Sequence, residues 1–280
     1  MRTAFLPLLL TAWLCASAPA AAADPPPAAI PPGEAGAKAA LESSPRHHEW
    51  IDLAPADGAG KLGLFVAYPE RKDKAPVVLL IHEIYGLTDW VRAVADRLAA
   101  DGFIAIAPDM LTGLGPGGGG TEKFASRDDV VRAVRELTPA QVTAALDAAA
   151  RYGRSLPAAT GKLATIGFCW GGTQSFRYAT VRPGLGAAVV YYGTSPELPA
   201  LADLVAPVLG LYGEDDARVN ATVGPAEAMA MELGKTFLAA TYRGAGHGFL
   251  RAQDGRDGAN LAASLKAWPA TVEFLRRHIE

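Results

Sequence analysis

The sequence predicts an α/β fold built on a mostly parallel central sheet with helices on both faces. Strands and helices alternate along the chain, and several strands are uninterrupted apolar runs, as expected where both sheet faces are buried. The junctions are also punctuated, with glycine, proline and capping residues where one element stops and the next begins. With 280 residues, 50% of them hydrophobic and 20% charged, the chain can close a substantial core around such a sheet.

Taken in order, residues 1–23 read as a secretory signal peptide: Met1-Arg2, an apolar run over 4–16, and a small-residue tract over 18–23 with cleavage near Ala23. The apolar run is shorter than the roughly 20 residues a bilayer requires. The expectation is therefore an exported protein, periplasmic or secreted, with no membrane association after signal cleavage. Leu14 before Cys15 disfavours a lipid anchor, and the single Arg2 offers no twin-arginine signal. Residues 24–46 are Pro/Ala-rich and read as a disordered leader, leaving 47–280 as one domain.

Residues 50–53 and 62–68 read as strands, and 77–81 as a strand buried on both faces. A helix over 89–100 ends at Gly102, and the next buried strand, 103–107, is closed by Pro108, which completes a βαβ unit. From Met110 to Asp129 the regularity breaks into a flexible glycine-rich loop, 113–120, at a strand's C-terminal end, where ligand sites lie in open α/β sheets. Its G-x-G-x-x-G match at Gly115, Gly117 and Gly120 does not open a helix directly after a strand, and no G-K-[ST] follows. Neither a dinucleotide nor a P-loop reading holds. Thr138-Pro139-Ala140-Gln141 supplies an N-cap, a proline at the first helical position and a capping-box glutamine for a helix to about Tyr152. Strands over 163–166, 185–191, 208–212 and 237–242, with helices near 226–233 and 261–278, complete the pattern.

The net charge of −3 and pI near 6.0 give no electrostatic reason to expect nucleic acid or an anionic membrane as partner. Signal removal takes Cys15 away and leaves Cys169 as the only thiol, so no intramolecular disulfide can form in an oxidising compartment. Catalysis explains an exported free thiol; an inert buried cysteine is the plainer alternative. Gly167-Phe168-Cys169-Trp170-Gly171 has the form G-x-nucleophile-x-G between a strand and a helix, the nucleophile-elbow context. The flanking glycines let the backbones pass, and the helix N-terminus favours a thiolate.

An acid and then a histidine must follow. Asp215-Asp216 follow the strand 208–212, and Asp216 is preferred because Gly213-x-x-Asp216-x-x-Val219 has the spacing of an acid turn; Asp215 stays open. His247 lies in a loop after the last strand, between Gly246 and Gly248. His47 and His48 border the leader, His278 is near the C-terminus and His82 ends a strand. Gly86 breaks H-E-x-x-H after His82-Glu83, so no metal is expected.

Residues 80–87 (Leu-Ile-His-Glu-Ile-Tyr-Gly-Leu), Ala107-Pro108-Asp109, Gly167 to Gly172, Tyr191-Tyr192-Gly193 and His247-Gly248-Phe249-x-Arg251 together resemble the dienelactone hydrolase family of the α/β-hydrolase superfamily. The resemblance covers about Trp50 to the C-terminus. It implies that Cys169 attacks a lactone carbonyl, His247 exchanges protons and Asp216 orients His247. Backbone N–H groups of Ile84 and Trp170 would form the oxyanion hole. Glu83 would contact the resting thiol and move when an anionic substrate arrives, and Arg251 would bind the substrate carboxylate. A second arginine before the nucleophile belongs to the family pattern, and Arg127, Arg132 and Arg135 are the candidates.

The activity expected is a monomeric hydrolase, with no cofactor, acting through an acyl-enzyme on a small, carboxylate-bearing lactone or ester. The competing readings are a broad-range carboxylesterase, an exported thiol redox or oxidant-sensing protein, and a noncatalytic binding member of the fold.

Overall fold

The computed structural model describes Met1 and residues 30–54 and 61–280. Apart from Met1, the signal-peptide expectation lies outside the described residues. One sheet of eight strands runs through the molecule. In chain order its strands and flanking helices are α1 (Ala37–Glu42), β1 (His48–Leu53), β2 (Leu62–Ala67), β3 (Ala75–Ile81), α2 (Asp89–Ala100), β4 (Ile104–Asp109), α3 (Arg127–Glu136), α4 (Pro139–Ser155), β5 (Ala159–Phe168), α5 (Trp170–Val181), β6 (Ala187–Tyr191), β7 (Val208–Asp215), α6 (Ala217–Glu232), β8 (Phe237–Gly246) and α7 (Ala259–Ile279).

The strand order is β1-β2-β4-β3-β5-β6-β7-β8. β1–β2 and β2–β4 pair antiparallel, and every pair from β4 to β8 is parallel. Side-chain alternation in β3 shows why its apolar run is unbroken. Val78 and Leu80 pack toward α2 and α7, against Trp90, Leu98, Trp268 and Leu275. Val77, Leu79 and Ile81 face α4, α5 and α6, against Leu146, Phe176 and Val219. Both faces are covered, and the α/β-hydrolase fold expected from sequence is the fold observed. No helix among the described residues is long and apolar enough to cross a membrane.

Three sequence expectations are corrected. Part of the predicted disordered leader is built into the domain, because residues 34–42 form a 3-10 turn and α1, which packs on α2. Two of its prolines are anchored through carbonyls that a proline still possesses: Trp90 Nε1 donates to Pro32 O at 3.1 Å, and Gln253 Nε2 donates to Pro31 O at 2.8 Å. Just after, Ser44, Arg46 and His48 all converge on the carboxylate of Asp96. A segment this short carries no readable helical period, so composition pointed the wrong way.

Second, α3 begins inside the irregular stretch expected from Met110 to Asp129 and continues through residues to which the sequence assigned no element. Only Val130 and Val134 bury along it, too thin an apolar stripe for sequence detection, although Ser126 caps it. The glycine-rich loop before it is folded back on itself, with Gly113 N and Gly115 N both donating to Gly119 O. Third, β4 continues through Pro108 to Asp109, and α6 begins at Ala217 rather than near Ala226, with Pro225 inside it.

Candidate active site

Parallel strands deliver their C-terminal ends to one edge of the sheet, and the candidate residues collect there. β5 ends at Phe168 and α5 begins at Trp170, so Cys169 alone makes the turn, at φ 55° and ψ −115°. A non-glycine residue in that region is strained and persists because its surroundings hold it there. The flanking glycines show how tightly. A Cβ on Gly167 would lie 1.9 Å from Gly171 O, and one on Gly171 would lie 2.2 Å from Ile81 O.

Cys169 Sγ lies 3.0 Å from His247 Nε2, and His247 Nδ1 lies 2.5 Å from Asp216 Oδ2. A carboxylate only accepts, so Nδ1 carries the ring proton and Nε2 is left to accept from the thiol. Asp216 is buried at the N-terminus of α6, whereas Asp215 turns outward to an ion pair with Arg256. The structure thus separates the two aspartates that the sequence left open. Tyr192 packs edge-on against the His247 ring, with centroids 5.2 Å apart. It sits at φ 42° with its hydroxyl buried and unpartnered. Nothing in its residue type signals that role; only the strain and burial reveal it.

The thiol is not poised as a thiolate. Burial and the nearby Glu83 carboxylate push its pKa up to about 11, despite hydrogen bonding from the backbone N–H groups of Trp170 and Ile84. The helix N-terminus does not win, which corrects the sequence expectation. The same two N–H groups are the ones the resemblance assigns to an oxyanion hole, and they converge on the sulfur.

Ile84 occupies a tight turn between Glu83 and Gly86, where Gly86 N donates to Glu83 O and Gly86 adopts φ +73°. His82, which follows the end of β3, fixes this turn. Its Nδ1–H donates to Glu83 O at 2.7 Å, its Nε2 accepts from Met110 N, and its ring stacks on Trp170 at 5.5 Å. Burial holds His82 below the ordinary histidine range, consistent with a neutral ring serving both bonds. The glycine-rich loop supports the turn from outside: Thr121 Oγ1 accepts from Leu87 N and donates to Asp109.

Glu83 is placed differently from expectation. It makes no hydrogen bond to the thiol; its Oε2 lies 2.7 Å from Arg251 Nε, and its buried Oε1 has no partner. Burial outweighs Arg251 and pushes its pKa up to about 7. Arg251 has a second partner, Glu34, at 2.5 Å. Of the three candidate second arginines, Arg127 reaches this cluster, 3.0 Å from Glu34 and stacked 3.6 Å above the Tyr85 ring. Arg132 pairs with Asp129 on its own helix, and Arg135 is exposed. Sequence reasoning missed Glu34 altogether, since it fell in the supposed leader.

Cavities of 820 and 650 Å³ flank the glycine-rich loop, and neither is lined by Cys169, Asp216 or His247. The three residues meet instead at the C-terminal edge of the sheet.

A profile of the dienelactone hydrolase family matches residues 62–279. A provisionally named carboxymethylenebutenolidase of Methylorubrum extorquens is 33% identical over 219 residues, spanning 71% of this chain and 74% of its own. One from Salmonella typhimurium is 31% identical over 242 residues, spanning 81% and 87%. Among solved structures, a provisionally named dienelactone hydrolase of Klebsiella pneumoniae superposes with a TM-score of 0.70 at 28% identity, over 81% of this chain and 97% of that one.

Proposed function

Because the chain belongs to the dienelactone hydrolase family and is a carboxylic ester hydrolase, we propose that it opens a lactone or small ester by a Cys-His-Asp mechanism. The observation that carries this reading is the continuous contact from Cys169 Sγ through both ring nitrogens of His247 to Asp216.

The thiol passes its proton to His247 Nε2 as sulfur bonds to the substrate carbonyl carbon. Asp216 stabilises the imidazolium that forms. The carbonyl oxygen takes up the negative charge between the N–H groups of Ile84 and Trp170. Collapse breaks the carbon–oxygen bond of the lactone or ester, the leaving oxygen takes the proton from His247, and a thioester remains on Cys169. Water, deprotonated by His247, then attacks the thioester; the released acid leaves and the thiol regains its proton. A thiol with its pKa raised to about 11 suits this coupled transfer better than oxidant sensing, which requires a standing thiolate. The segment over residues 1–23 supports export of the enzyme.

The test is Cys169→Ala in protein whose fold is checked by circular dichroism. Hydrolysis of an activated aryl ester should fall at least about a thousandfold, and the burst expected of an acyl-enzyme should vanish. Retention of wild-type hydrolysis would refute the mechanism.

A further inference from the structure

Arg251 and Arg127 lie 217 and 93 residues from Glu34 along the chain, yet one carboxylate bridges both. Glu34 Oε2 is 2.5 Å from Arg251 Nη1, and Oε1 is 3.0 Å from Arg127 Nη2. The two guanidinium groups share Tyr85, with centroid distances of 3.6 and 5.3 Å. Glu83, beside the thiol, takes the remaining edge of Arg251.

A lone surface ion pair would mean little. This one is fixed by backbone. Glu34 N donates to Arg251 O at 2.9 Å, and Gly33 lies so close to that carbonyl that a Cβ would approach it to 3.3 Å. Pro31 and Pro32 are anchored on either side by Gln253 and Trp90. The backbone that presents Glu34 is thereby ordered by contacts that exist regardless of substrate. Glu34 also precedes residues 62–279, the span matched by the family profile, so family membership assigns it nothing.

We propose that Glu34 is a specificity-determining residue: it fills the position on Arg251 and Arg127 that a substrate carboxylate would take, and so selects uncharged lactones or esters over anionic ones. This rests on the hydrolase reading above. Glu34 holds a nitrogen of each arginine and Glu83 lies against Arg251 Nε, so an incoming anion meets guanidinium positions that are already occupied. It must displace an anchored competitor before reaching the thiol. An uncharged acyl group needs no such exchange.

The experiment compares dienelactone as its free carboxylate with the same lactone as its primary amide, on wild-type protein and on Glu34→Gln. Wild type should favour the amide, and Glu34→Gln should raise the acid-to-amide ratio of kcat/KM about tenfold, chiefly through KM for the acid. Glu34→Asp, whose shorter carboxylate cannot span both arginines, should fall between and serves if the glutamine variant does not fold. A wild-type preference for the acid, or a ratio the same within about twofold in the variants, would overturn the proposal. Calorimetric titration of the acid into Cys169→Ala and into Cys169→Ala/Glu34→Gln needs no turnover. Tighter binding to the double variant supports Glu34 as competitor, and equal binding overturns it. If wild type turns over neither lactone nor any aryl ester, the hydrolase reading fails, while this titration still decides the role of Glu34.

Discussion

Glu83 is buried beside a half-buried Cys169, and its carboxylate disfavours charge on the sulfur. Burial is the larger cause of the raised thiol pKa and the Glu83 carboxylate the next. Replacing Glu83 by glutamine removes a negative neighbour, which favours the thiolate and lowers the thiol pKa below about 11. Alkylation by iodoacetamide, measured at a fixed pH near about 8, should therefore run several-fold faster in Glu83→Gln. An unchanged or slower rate would mean that Glu83 does not act on the sulfur. Legibility in the sequence differs sharply between such residues. Cys169, His247 and the Asp215-Asp216 pair were readable because a nucleophile elbow demands partners in a fixed order. The strain at Tyr192 and the reorientation of Glu83 toward Arg251 were not, since both depend on contacts across the sheet edge.

The turn carrying Ile84 is held from β4, from the Trp170 ring and from the loop that follows β4. Thr121 joins the last of these, standing between Leu87 N and the carboxylate of Asp109. Thr121→Val keeps the shape and deletes the hydroxyl, leaving a main-chain N–H without its acceptor. The expected cost is about 1–3 kcal/mol of stability. A fall in kcat with KM little changed should accompany it if the turn positions the Ile84 N–H for the transition state; denaturation and steady-state kinetics together check this. At this scale the strands were legible from unbroken apolar runs and the α4 start from its capping box, which forms as read. α3 was not legible because two valines make no pattern, and the loop before it disguised its own order as a run of glycines.

For the whole molecule, the segment from residue 30 to residue 46 is part of the domain and not a tether to it. Ala37 is buried, Pro32 caps the Trp90 indole, and Arg46 pairs with Asp96 where both side chains are nearly enclosed. A chain beginning at His47 should be less stable than one beginning at Ile30, by about 1–3 kcal/mol from the lost Arg46–Asp96 hydrogen bonds alone, because His48 still pairs with that carboxylate. Urea denaturation reads the difference, and coincident midpoints would contradict it. Glu34 adds a consequence in time. Its contact with Arg251 spans nearly the full chain, and contacts of such separation form late because a large loop must close first. An emerging chain can assemble much of its sheet before residue 251 exists, but the rim around the thiol is finished only when Glu34 meets the loop that follows β8. Substrate selection by Glu34 thus waits on residue 251, long after most of the sheet has been made.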